Sequence, residues 1–474
     1  MKEFRLNENL SNRIFLKSSN NLSDRFDAQF YWKEMNFDNC IKLSKIAKVS
    51  GGKRLPKGSD YSNEKTNYRY LRISDVSWNG QLNFEGLRYI SKNLFDFLKR
   101  YEIKKNELLL TIVGTIGKCA LLNPPYEDRI ILTENCAKIQ LKSSDVLPEY
   151  LYIVLQTQFV QEQMQLNYIQ TTLPKLGLDR VLSLRVPKIP SKERQNEIVD
   201  RFYNAIRARN EKLNQAQTLL NSIDDYLLKE LGITLPEQDD SLSSRMFITD
   251  FSKVSGGRFD PYYNDIQYDK IDKAIKSSCY DSVDLNELCY AVSGVIYSSK
   301  DVRNEGKAIL RANNITLKTN QLNFDSVRFI DANIQLGDEL KLKENDILMS
   351  SASGSKEHVG KVAFINEDLD AYFGGFMNVL RQRNDNYIQK YLFFYLQSII
   401  FRKYLFKHLG GTNINNLGFN KIAKLKIPLP SLNKQQEIVI RISDIRDKIR
   451  QLQQEAVAAI EAAKQAVEKM ILGA

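Results

Sequence analysis

Hydrophobic and polar positions along this chain fall into two long periodic stretches separated by shorter, denser runs. Reading on from Phe202, apolar or small residues recur at Ile206, Leu213, Ala216, Leu220, Ile223 and Leu227, with Arg209 the one polar break. Steps alternating four and three are the signature of a heptad seam rather than of a surface helix. Pro187 and Pro190 stop anything helical before it, and Ser191 is a good N-cap with Glu193 in the first turn. The pattern then returns. Pro428 and Pro430 precede Ser431, and a second seam runs Ile438, Ile442, Ile445, Ile449, Leu452, Ala456, Ala459, Ala463, Ala466 and Met470. The two openings share the spelling Pro-Ser-x-x-x-Gln-x-x-Ile-Val, at Pro190–Val199 and Pro430–Val439.

The repeat extends well beyond the helices. Leu10–Phe15 returns as Leu242–Phe247, and Arg25–Ala28 as Arg258–Pro261. Val49-Ser50-Gly51-Gly52 answers Val292-Ser293-Gly294, and Gln81–Ile90 answers Gln321–Ile330 at a shift of 240. Lys105–Leu109 matches Glu344–Leu348, and Tyr150-Leu151 matches Tyr391-Leu392. Matches that keep their order from end to end describe one unit written twice. Short aliphatic and β-branched runs such as Glu107–Val113 and Ile130–Thr133 predict strands between glycine and proline turns. Tyr150–Val160 and Tyr391–Arg402 predict amphipathic helices. The expected organisation is a globular part over 1–190, a helix over 191–232, a second globular part over 233–430 that opens with a polar linker at 233–241, and a helix over 431–474. Neither heptad helix can bury its seam alone, so the two are expected to pair antiparallel, giving a pseudo-twofold molecule.

Composition narrows the partners. Lys and Arg number 68 against 57 Asp and Glu, a formal charge of +11 and a pI near 9.1, which favours a polyanion. The five cysteines form no CxxC pair and the two histidines, His358 and His408, stand apart, so no metal site is expected. The absence of an apolar leader or a long apolar run points to a cytoplasmic protein.

Candidate chemistry follows from the loops. Asn123-Pro124-Pro125-Tyr126 resembles the tetrapeptide with which amino-methyltransferases grip a flipped adenine, yet the second copy reads Ile365-Asn366-Glu367-Asp368 and no glycine-rich methyl-donor turn is present. A turn is the expected role. Gly114–Cys119 and Gly360-Lys361-Val362 lack the spacing of a phosphate loop. Loops rich in Gly, Ser, Thr, Asn and Gln and interleaved with Lys and Arg suit groove reading, where amides and hydroxyls read base edges and cations hold phosphates. The DNA-binding candidates are Lys53, Arg54, Lys57, Arg72, Thr115, Lys118, Thr171, Thr172 and Lys175 in the first copy. In the second they are Arg311, Ser353, Ser355, Lys356, Lys361, Thr412, Asn413, Asn415 and Asn416.

Two divergent globular units, each followed by a long helix opened by Pro-Ser-x-x-x-Gln-x-x-Ile-Val, resemble the specificity subunit of type I restriction–modification enzymes. The resemblance spans the whole chain. It implies an α+β protein whose two α/β target recognition domains each read half of a bipartite double-stranded DNA site and are separated by a long antiparallel two-helix coiled coil. It also implies no catalytic residues in this chain. Two methyltransferase subunits using S-adenosylmethionine, and restriction subunits using ATP and Mg, are the implied partners. The alternatives are a DNA N6-adenine methyltransferase built on Asn123–Tyr126, and a stand-alone DNA-binding scaffold.

Overall fold

A computed structural model describes residues 35–125, 127–168, 173–237, 264–317, 319–354, 356–408 and 415–473, with a few single positions between 241 and 255. Leu10–Phe15, Arg25–Ala28 and Arg258–Pro261, where further repeats were noted, lie outside the described residues. The chain divides into two compact units, one of residues 1–211 with 455–474 and one of residues 212–454. Each therefore holds part of both long helices.

In the first unit, β1 (Ala47–Gly51), β2 (Tyr68–Leu71), β3 (Leu108–Thr111), β4 (Arg129–Leu132) and β5 (Cys136–Leu141) carry the architecture. One sheet has the order β1–β5–β3 followed by the strand Cys119–Leu121; the other places β2 and β4 side by side between the short strands Arg88–Tyr89 and Glu102–Ile103. β2 and β4 are parallel, with Leu71 opposite Leu132. β3 is buried throughout because both its faces are covered. Leu108 and Leu110 enter the core shared with the helices, while Leu109 enters the core between the two sheets, as the two-residue strand period requires. Asn106, at φ 65°, makes the turn into β3, a conformation asparagine tolerates better than most residues.

Helix α1 (Pro148–Gln156) packs on this sheet, and α2 (Lys192–Glu230) begins the first long helix. The helix expected over Tyr150–Val160 is in fact two, because Thr157 leaves the helical path and its hydroxyl caps the next helix at Val160 N–H.

The second unit repeats this plan with β6 (Cys289–Ser293), β7 (Lys307–Leu310), β8 (Ile347–Ser350), β9 (Leu369–Phe373) and β10 (Met377–Gln382). The order β6–β10–β8 is completed by Val362–Phe364, and β7 and β9 are again parallel neighbours in the other sheet. Ile347 and Met349 face the helix core and Leu348 the inter-sheet core. Asn345, at φ 66°, turns the chain into β8 as Asn106 does into β3. Here too the expected helix Tyr391–Arg402 is broken, into α3 (Gln389–Tyr395) and a second helix, Ile399–His408.

α4 (Leu432–Leu472) is the second long helix. In the second unit Ile223 and Leu227 of α2 share a core with Ile438, Ile442, Ile445, Ile449 and Leu452 of α4, and Lys434 pairs with Glu230 at 2.7 Å. In the first unit Ile198 and Phe202 share a core with Val467 and Ile471. The end of one helix meets the start of the other, so the pair is antiparallel. Two seam expectations need correcting. Leu213 is 36% exposed, whereas Ile206 and Leu220 are half-buried and pack against the cores as expected. In α4 the buried positions pass from Ala456 to Val467 and Ile471, one residue beyond the expected Ala466 and Met470. A helix with 3.6 residues per turn drifts about 20° per heptad away from a strict seven-residue stripe, so the stripe advances by eleven here.

The repeated glutamine of the helix opening has a structural reason. Gln195 is fully buried; its Nε2 donates to Asp145 O at 2.8 Å and Pro190 O at 3.0 Å, and its Oε1 accepts from Leu147 N–H at 2.8 Å. Gln435, also fully buried, donates to Pro430 O at 2.8 Å and accepts from Ile388 N–H at 2.8 Å. One neutral amide thus fastens the root of each long helix to the loop that starts the neighbouring shorter helix. A second fastening differs between the units. Tyr152 donates to Asn79 O at 3.1 Å in the first; in the second the tyrosine is replaced by Phe393, and Arg446 of α4 donates to Thr319 O at 3.2 Å. Burial lowers the Arg446 guanidinium to about 10.

Candidate nucleic-acid interface

Five chain segments meet at the ends of the parallel strands in the first unit: 52–55, 72–74, 112–114, 133–135 and 174–176. Backbone hydrogen bonds lock them together. Lys53 N–H donates to Leu132 O at 2.9 Å, Thr133 N–H to Leu71 O at 3.2 Å, Ile112 N–H to Asn135 O at 2.9 Å and Leu176 N–H to Ile112 O at 2.8 Å. The second unit makes the same four bonds with other residues: Val295 to Phe373 O at 2.7 Å, Gly374 to Leu310 O at 2.9 Å, Ser351 to Phe376 O at 2.9 Å and Leu417 to Ser351 O at 2.7 Å. Glycine is needed where the first segment crosses the fourth. A Cβ on Gly52 would lie 2.1 Å from Thr133 O, and one on Gly294 would lie 2.2 Å from Gly374 O. The equivalence is therefore Gly52 with Gly294, a one-residue correction to matching Val49-Ser50-Gly51 with Val292-Ser293-Gly294.

Side chains differ where the backbone agrees. In the first unit Arg54 Nε lies 2.5 Å from Glu134 Oε1, and Arg72 grips Asp75 at 2.7 and 3.1 Å. Burial pulls the Glu134 carboxyl upward, but hydrogen bonds from Arg54, its own backbone N–H and the Thr133 hydroxyl outweigh it and hold the group below the usual carboxylate range. The hydrogen bond to Asp75 raises Arg72. Tyr61, Tyr70 and Asn135 complete a cleft of about 370 Å³. In the second unit the matching cleft, about 580 Å³, is lined by Ile296, Tyr297, Arg311, Asn313 and Phe376.

Of the residues expected to meet DNA, Lys53, Arg54, Arg72 and Lys175 come together on the first face, with Thr115 next to it, and Lys53, Arg54 and Lys175 are exposed. Arg311 and Ser353 lie on the second, where Asn415 and Asn416 pair as a strand with Ser353 and Ala352. Lys57 is exposed in the turn beyond Arg54, and Lys356 begins the one-turn helix Lys356–His358. Thr171, Thr172, Ser355, Thr412 and Asn413 lie outside the described residues.

Lys361 is a correction. It is 4% exposed, its Nζ donates to Ala312 O at 2.7 Å and Ile315 O at 2.6 Å, and burial lowers it to about 8. Lys118 does the same work on Val76 O at 2.8 Å, so both lysines are internal clamps on the segment behind the face rather than phosphate contacts. Sequence reasoning also missed Asn135 and Phe376, and Ile296, the second unit's counterpart of Arg54; the signal was there in the repeat, once Gly52 and Gly294 are set in register. Asn123 and Pro124 form a loop after the strand Cys119–Leu121, and Tyr126 lies outside the described residues. No cluster of three or more His, Cys, Asp or Glu placed to hold a metal occurs among the described residues, and no described helix is long and apolar enough to cross a membrane.

A repeated sheet-and-helix unit, each copy offering a loop face of the same backbone and different side chains, defines a duplicated recognition module. The chain belongs to the family of the type I restriction modification DNA specificity domain, whose model matches it twice, over residues 39–222 and 278–462. The EcoBI type I restriction enzyme specificity subunit of Escherichia coli is 29% identical over 131 residues, 28% of this chain and 27% of that protein. The putative MjaX specificity subunit of Methanocaldococcus jannaschii is 34% identical over 106 residues, 22% of this chain and 25% of that protein. The matched stretches thus span about a quarter of the length of these two relatives. The MjaVIII specificity subunit of the same organism is 22% identical over 328 residues, 63% of this chain and 74% of that protein. A chain from a structure of type I R-M system assembly and conformational transition shares the fold, with a TM-score of 0.52 at 16% identity, covering 91% of this chain and 96% of that one.

Proposed function

We propose that this chain is the specificity subunit of a type I restriction–modification complex, each unit's five-segment face taking one half of a bipartite double-stranded DNA site. The observation that carries this is the pair of faces: one backbone frame, built twice, with its base-facing side chains exchanged. A reader of two different half-sites needs that combination, since the frame sets position and the side chains set sequence. In this reading the chain itself is not an enzyme. Methyl transfer from S-adenosylmethionine belongs to two partner methyltransferase subunits, and ATP- and Mg-dependent translocation and cleavage to restriction subunits, all acting in the cytoplasm.

The test is a map of N6-methyladenine in host DNA with and without this chain, together with a transfer assay on the purified components. Methylation at one bipartite motif is expected to vanish with the chain, and labelled methyl transfer to require a co-purifying partner. Transfer by the chain alone would overturn the division of labour, and an unchanged methylation map would overturn the role in recognition.

A further inference from the structure

The two faces divide in chemistry as well as in sequence. In the first unit two arginines are each neutralised, Arg54 by Glu134 and Arg72 by Asp75. At the equivalent places the second unit has Ile296, Gly375, Arg311 and Asn314. The carboxylate beside Arg311 has become an amide, which accepts from the Arg311 backbone N–H at 2.9 Å. The Arg311 Nη2 reaches Ser326 O at 3.3 Å, and its Nε is buried with no hydrogen-bond partner. Among the described residues, Arg311 is also the one charged residue lining the second cleft. This face therefore carries a positive charge with no carboxylate among its described lining residues, which suits a phosphate-bearing partner.

Beside that charge stand two large apolar side chains in the open. Ile296 is 93% exposed and Phe376 is 70% exposed. They flank Gly375, where an added Cβ would lie 3.2 Å from Ile296 Cγ1, so the glycine lets the two sit close together. Such a pair offers neither donor nor acceptor to a base edge. The apolar feature that a major groove presents is the C5-methyl group of thymine. Resting on the reading of these faces as DNA-binding, we propose that Ile296 and Phe376 are the base-reading element of the second unit, that their ligand is a thymine methyl, and that Arg311 holds a flanking phosphate. The first unit, with Asn135 and the Arg54–Glu134 pair in the same places, reads its half-site by hydrogen bonds.

Replacing thymine by deoxyuridine removes the methyl and leaves every hydrogen-bonding group in place, so it isolates this contact. The assembled complex is titrated with duplexes of its mapped site in which each thymine is replaced singly. One position, confined to one half-site, is expected to lose about fourfold in affinity, the worth of one buried methyl group. The doubly substituted chain, Ile296→Ser with Phe376→Ser, should bind the thymine site more weakly and show no uracil effect; Arg54→Ser should keep it. Both altered side chains are exposed, and circular dichroism checks that the fold survives. Tight binding with no uracil effect in either half-site overturns methyl reading while leaving DNA recognition intact, and so does a uracil effect that persists in the double variant. Failure of the unsubstituted complex to bind its site at all overturns the underlying functional reading instead.

Discussion

At the scale of single residues, the two buried glutamines contribute more than their spelling suggests. Each satisfies backbone groups that the helix root and the adjoining loop leave without partners, and each does so from full burial. Gln435→Ala should therefore destabilise the protein by about 2–4 kcal/mol, since the Ile388 N–H and the Pro430 carbonyl are both left unsatisfied away from water. The neighbouring Gln436 is exposed, and Gln436→Ala should fall within about 0.5 kcal/mol of the unaltered chain. Urea unfolding midpoints of the two variants check the contrast; equal midpoints would mean that the amide bonds contribute nothing. Lys361 teaches the complementary lesson, because a lysine in a glycine-flanked loop reads as a phosphate contact until its burial is seen.

At the scale of elements, the helix pair was legible because its signal is periodic and local: each seam can be counted along one stretch of chain. What the count missed was phase. A strict heptad carries Leu213, Ala466 and Met470 into the seam, whereas Leu213 is exposed although Ala216, Ile223 and Leu227 beyond it are buried, and in the second helix the drift makes Val467 and Ile471 the buried positions. Ile445 and Ile449 lie where both descriptions agree, at 8% and 5% exposure. Replacing both with Asp should cost about 3 kcal/mol or more per unpaired buried charge. Lower thermal stability and loss of co-purifying partner subunits are the expected readouts, and undisturbed partner binding would sink the role of this seam. The loop face was hardly legible at all, for the opposite reason. Its five segments are scattered between residues 52 and 176, and their adjacency is fixed by strand pairing that no local pattern reports. Gly374-Gly375-Phe376 reads as an ordinary turn until β7 and β9 bring it beside Arg311.

At the scale of the molecule, a formal charge of +11 predicts that DNA affinity of the assembled complex falls steeply as salt rises, linearly on logarithmic axes. The exposed Lys53 and the buried Lys361 divide that dependence. Lys53→Ala should lower the slope by about one, as the loss of one phosphate contact does. Lys361→Met should leave the slope unchanged, whatever it does to stability, because its ammonium faces the Ala312 and Ile315 carbonyls. Equal slopes for all three proteins would remove Lys53 from the DNA surface. The glutamine joints have a practical bearing on that experiment. Neither carries an ionisable group, so concentrated salt that strips the protein from DNA screens the Lys434–Glu230 pair but leaves both amide joints made. A salt wash thus dissolves the nucleic-acid interface without reaching these two joints: the chain comes off its duplex with its glutamine joinery intact, ready to be returned to a different one.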